Sequence, residues 1–89
     1  MATNFVGRSL VANISEQNLT LNMSFINVIV NDSVNTITVA FDQATTANNT
    51  MILKTGESRE NVAIPFKKLY YKASADGSAF RVEGIVKES

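Results

Sequence analysis

Eighty-nine residues suffice for one small domain and are too few for two separate cores. Eight basic and eight acidic side chains cancel, so no global field draws the chain toward phosphate backbones or anionic lipid, and neither nucleic acid nor membrane is expected as a partner. With no His and no Cys, the chain lacks an imidazole base, a thiolate nucleophile, the usual zinc ligands and any disulfide, so an enzyme is not expected, nor a cofactor or metal.

The opening residues, Met1 to Arg8, hold no basic stretch leading into an apolar one, so no secretory signal peptide is expected. The longest apolar run is three residues, as at Val28-Ile29-Val30, against the ~20 that a helix needs to cross a bilayer. Phe5-Val6 and Leu10-Val11 suit a strand or one helical turn, and a strand is favoured. Residues 1 to 14 therefore read as an N-terminal arm or edge strand, and residues 15 to 89 as a single β domain.

Leu19, Leu21, Met23 and Phe25 alternate with polar residues, which places them on one face of a strand. The pattern then slips through Ile26-Asn27 into Val28-Ile29-Val30, as it would if the strand were buried on both faces or a bulge reset its register. Asn31-Asp32-Ser33 supplies a turn, and Ile37, Val39 and Phe41 begin a second alternation. Residues 19 to 30 and 34 to 42 are accordingly expected to form an antiparallel pair.

Gln43 to Thr50 holds no large apolar group and reads as an exposed loop. A short strand, Met51 to Lys54, is followed by a turn at Thr55-Gly56-Glu57-Ser58, where glycine supplies a positive φ. Val62, Ile64 and Phe66 recur at period two around Pro65, which cannot donate a ladder hydrogen bond and belongs at an edge or bulge. The segment from Lys68 to Lys87 reads as a hairpin turning at Ala75-Asp76-Gly77-Ser78. The sum is an all-β fold, a small antiparallel sandwich or barrel of about six or seven strands, with Phe25, Val39, Phe41, Ile64, Phe80 and Val82 in the core.

Charge is uneven. Residues 1 to 53 hold one base and three acids, whereas residues 54 to 89 hold seven bases and five acids. The charge-poor half is rich in Asn and Thr, as suits a surface that docks on neighbours through uncharged contacts, although a solvated sheet face has the same composition. Lys67, Lys68, Tyr70, Tyr71 and Lys72 could make a basic aromatic platform, but strand alternation sends the two tyrosines to opposite faces, and one of them to the core. Five Asn-x-Ser/Thr sequons follow from the abundance of those residues and are not expected to be glycosylated. Asp32 and Asp76 read as turn residues, Glu57 as a loop tip, and Glu60, Arg81 and Glu83 as strand-surface charges; none has ligand-like spacing.

The stretch Asn35 to Asp42, the polar loop, Ile52-Leu53-Lys54-Thr55-Gly56-Glu57-Ser58 and the ending Leu69 to Gly84, which opens Leu69-Tyr70-Tyr71-Lys72-Ala73, follow one another in an order that resembles small virion structural proteins of tailed bacteriophages. The resemblance covers residues 35 to 86. It implies a head decoration (cement) or head-to-tail component, made in the host cytoplasm and residing in the virion as a homo-oligomer on other subunits such as the major capsid protein. The alternative is a tail or adhesin-type carbohydrate-binding module, in which Tyr70 or Tyr71 would stack on sugar rings. Weak periodicity and low charge in the arm are what a segment shows when its partner is another chain. The candidate assembly contacts are therefore Phe5, Val6, Leu10 and Val11 of the arm and Thr45, Thr46, Asn48 and Asn49 of the loop.

Overall fold

The alternating segment that begins before Leu19 becomes the spine of the molecule. In a computed structural model, which describes residues 4–45 and 50–86, it forms the fifteen-residue strand β2, Gln17–Asn31. The other strands are β1 (Asn4–Ala12), β3 (Ile37–Phe41), β4 (Thr50–Leu53), β5 (Ser58–Val62), β6 (Phe66–Ala73) and β7 (Ser78–Val86). All pairings are antiparallel within one sheet of order β1-β7-β2-β6-β3-β4, with β5 also paired to β2, and the described residues contain no helix. The all-β expectation holds, and the ambiguous N-terminal segment is a strand.

Strand β2 changes partners along its length. Its first half, Gln17 to Met23, pairs with β6, and its second half, Met23 to Asn31, pairs with β7. The second half also pairs with β5 on its other edge. Yet Ala73 and Ser78, which end β6 and begin β7, are joined by only the four residues 74–77. The two ends of β2 must therefore lie close together, and the sheet folds over near Met23 into two wings that face each other. Tyr71 on one wing meets Phe80 on the other edge to face, with ring centroids 5.2 Å apart.

The fold-over is written into the registers as extra residues. One bulge lies between Thr20 and Met23, where Asn22 adopts a φ of 51°; two more lie between Met23 and Phe25 and between Ile26 and Val28. Asn tolerates the left-handed region because its short amide can bond locally. Each bulge adds a residue that its partner does not match and bends the strand. As a result, Met23, Ile26, Ile29 and Asn31 point inward opposite Val86, Gly84, Val82 and Phe80, at spacings of three, three and two. Of the two readings of the slip after Phe25, the bulge is correct. Phe25 then sits opposite Ile85 on the outer face and is half-buried, not core.

Gly84 makes the bend possible. A Cβ built there would stand 2.2 Å from the Phe25 carbonyl oxygen and 3.1 Å from the Ile26 Cα, so β7 can cross β2 this closely only without a side chain. Strands β5 and β6 run along one edge of β2 and break at residues 63–65, at the level of the same bend. Pro65 lies in that break, where no ladder bond is lost. Ile64 consequently falls outside both strands and is 44% exposed, contrary to its expected place in the core. Val39, Phe80 and Val82 are fully buried, and Phe41 packs at the rim with its ring 4.9 Å from that of Phe66.

Two expected pairings do not form. Strand β3 pairs with β4 and β6, not with β2, and β6 and β7 are not hydrogen-bonded to each other. In both cases the turn residues reverse the chain where expected, with Gly77 at a φ of 78°, but the reversal passes between wings and not within the sheet. By chemical denaturation, Gly84→Ala is expected to cost about 3 kcal/mol, the upper end of what overpacking costs, and Phe80→Ala about 3 to 5 kcal/mol. A melting temperature unchanged in the glycine variant would show that β7 does not cross β2 this tightly.

Candidate assembly surface

The open end of the folded sheet is closed by side-chain amides and hydroxyls. Asn31 is buried, and its Nδ2 donates to the carbonyls of Asn35 at 2.6 Å, Leu53 at 3.0 Å and Lys54 at 3.2 Å. Its Oδ1 accepts from the Ser33 N–H at 2.8 Å and the Ser33 hydroxyl at 2.7 Å. Asn35 Nδ2 donates to the buried Ser78 hydroxyl at 3.0 Å, which in turn donates to the Ala75 carbonyl. No buried side-chain polar atom among the described residues lacks a partner. This network uses the sequon at Asn31 for structure, and its amide is enclosed.

Several carboxylates also brace the fold. Asp42 Oδ1 accepts from the Lys67 and Lys68 backbone N–H groups at 2.9 and 2.8 Å, Asp76 from the Ile14 N–H at 2.9 Å, and Glu57 from the Lys54 N–H at 2.8 Å. Asp32 pairs with Arg81 at 2.8 Å on the surface, with Glu83 3.9 Å from the same guanidinium. No group of three acidic residues among the described residues converges on a metal position.

Thr45 was expected on an exposed loop. Instead it is 6% exposed, and both its N–H, at 2.7 Å, and its hydroxyl donate to Glu16 Oε1. Thr46, Asn48 and Asn49 lie outside the described residues. Of the aromatic pair, Tyr71 is 6% exposed, and burial pushes its hydroxyl pKa up; Tyr70 is half-buried on the opposite face. Tyr71 thus fills the core and has no face to offer a sugar or a base. Phe41, Gln43, Thr50, Met51 and Ile64 line a groove of about 370 Å³.

The arm residues are arranged differently. Strand β1 pairs with β7 in unbroken register from Asn4↔Val86 to Ala12↔Ser78, and among the described residues no strand covers its other edge. Val6 and Leu10 are half-buried, with Leu10 packed against the core, and Ala12 is fully buried. Phe5 and Val11 face outward, 59% and 53% exposed. Phe5 continues a row across the outer face, opposite Ile85, which is itself opposite Phe25. The structure thus makes residues 4–12 an integral strand of the sheet with one free edge.

The charge-poor and charge-rich halves of the sequence do not make separate surfaces. In the strand order, β7 lies between β1 and β2, and β6 between β2 and β3, so the two halves interleave. The exposed edge of β1 could be recognised in the sequence only as a nine-residue segment with one charge, because edge position depends on the whole strand order.

No protein-family model, curated protein or solved structure matches the chain.

Two outcomes are expected from these contacts. The Thr45 hydroxyl and then its N–H hold the Glu16 carboxyl below the ordinary carboxylate range, against the opposing effect of burial and with a smaller contribution from the charge of Lys72. Its stabilising contribution is therefore present at neutral pH and is lost as pH falls through that lowered value. In Thr45→Val, NMR titration should move Glu16 upward toward the ordinary value; an unchanged titration would contradict the contact. Asn31→Ala should cost at least about 2 kcal/mol, because it leaves buried carbonyls without donors. Asn31→Asp should be worse at neutral pH, since a carboxylate would face those carbonyls, and a wild-type melting curve for either variant would rule out the network.

Proposed function

We propose that the chain is a non-enzymatic structural protein of a bacteriophage particle, a decoration or cement subunit that stabilises the shell through contacts with neighbouring subunits. The observation that carries this reading is the bare edge of β1. Proteins that remain monomeric guard their edge strands with lysine, proline, bulges or covering loops, because unpaired N–H and C=O groups are a template for another chain. Strand β1 has no Lys, no Pro and no bulge, a single Arg, and two outward apolar side chains. Such an edge suits a protein present in many copies whose task is to be joined to others.

Arg8 is the one ionised side chain in β1, so most of this edge can meet a neighbour without the desolvation cost of charged groups. A small domain that buries a modest share of its surface also gains stability from subunit contacts. The order of the segments in residues 35 to 86, which resembles that of small phage virion proteins, supplies the setting.

The test is quantitative mass spectrometry of particles purified from the phage that encodes the chain, followed by thermal disruption of particles made with and without it. The reading expects many copies per particle and disruption at a lower temperature when the chain is missing. Absence of the chain from purified particles would overturn it.

A further inference from the structure

We propose that the free edge of β1 pairs with β1 of a second copy of this chain, antiparallel about a two-fold axis that passes through Arg8. The inference deepens the assembly reading of this edge by naming its partner, and it rests on that reading but not on the presence of a virion.

Strand β1 reads Asn4-Phe5-Val6-Gly7-Arg8-Ser9-Leu10-Val11-Ala12. Around Arg8 this is a palindrome of character: small residues at 7 and 9, aliphatic residues at 6 and 10, and exposed apolar residues at 5 and 11. In an antiparallel pair, residues directly opposite share a face. Pairing about Arg8 therefore sets Phe5 against the partner's Val11 on the outer face, and Val6 against the partner's Leu10 on the inner face, each twice by symmetry. The neighbouring registers lack this match. Pairing about Gly7 sets Phe5 against the partner's Ser9 and Val6 against the partner's Arg8; pairing about Ser9 sets Leu10 against the partner's Arg8 and Val11 against the partner's Gly7.

The rest of the molecule fits this join. The unbroken register between β1 and β7 gives a regular ladder roughly 30 Å long. The apolar row Phe25, Ile85, Phe5 ends at the edge of one copy, and pairing extends it to the partner's Val11 and Ala79. The chain carries no net charge, so two copies do not repel at long range. The opposing element is local: Arg8 stands against the partner's Arg8, and like charges directly opposite are unfavourable. The dimer should therefore tighten as salt rises and screens that contact, the reverse of an interface held by ion pairs.

The absence of cysteine permits a direct test of register. In the full-length chain, Arg8→Cys places two sulfurs opposite each other across the axis, within the Cα separation that a disulfide accepts. It should form covalent dimers under mild oxidation at least tenfold faster than Gly7→Cys or Ser9→Cys. The double variant Phe5→Cys with Val11→Cys should also cross-link between chains, since its sulfurs are roughly 20 Å apart along one strand and cannot meet within it. Sedimentation equilibrium of the unmodified chain should show a monomer–dimer equilibrium that shifts toward dimer with salt. Val11→Lys should raise Kd at least tenfold with an unchanged circular dichroism spectrum. Equal cross-linking at positions 7, 8 and 9, no cross-linking in either Arg8→Cys or the double variant, or a chain that stays monomeric at millimolar concentration would overturn the pairing. A dimer whose chain is absent from purified particles would uphold the pairing and refute the virion proposal; a particle component that neither dimerises nor cross-links would do the opposite.

Discussion

The architecture depends on one strand serving two wings. Strand β2 must leave β6 and take up β7 at Met23 while keeping apolar side chains inward on both sides of the change. A regular strand cannot bend this far, because its side chains alternate strictly and its ladder resists folding. The bulges supply the bend, and Gly84 supplies the space where β7 approaches the β2 backbone. Everything downstream, including the break before β6 and the exposure of Ile64, follows from the position of that fold.

A sheet folded over at one end leaves an open end, where four connections cross between wings. Such a place exposes backbone carbonyls to a dry interior, and their desolvation is costly unless they are paired. Asn31 meets this need with an amide whose donors reach three carbonyls and whose oxygen orders the Ser33 turn. Asn13 does similar work on the neighbouring crossing: its Oδ1 accepts from the Gly77 N–H at 3.0 Å, while its carbonyl accepts from the Ala73 N–H at 2.8 Å. The unusual asparagine content thus has two distinct uses, left-handed backbone at Asn22 and Asn61 and amide bridging at Asn13, Asn31 and Asn35.

This division explains what could be read from the sequence. Most strand positions, the turns at Gly56 and Gly77 and the interior places of Val39, Phe80 and Val82 follow from local period and turn chemistry and stand where expected, whereas β5 lies at Ser58–Val62, ahead of the run expected from Val62 to Phe66. Pairing is different, because Asp76-Gly77 fixes where the chain reverses but not whether the two arms share a ladder or face each other across a core. Phe25 and Ile64 depart from period two for a related reason: a bulge interrupts the alternation before Phe25, and a strand break interrupts it at Ile64. Of the candidate contacts, Phe5 and Val11 lie outward on a free edge, whereas Thr45 is drawn in by Glu16, a partner 29 positions away that no local pattern reveals.

The central claim is that β1 is both a strand of the core sheet and an open edge for another copy. Half of its N–H groups bond to β7, and the alternate half point away from the sheet. The most direct measurement is amide hydrogen exchange along residues 4 to 12 as a function of protein concentration. The account predicts that the β7-facing amides are protected at every concentration, while the alternate, outward amides become protected only as concentration rises. Outward amides that exchange at the same fast rate at all concentrations would contradict it.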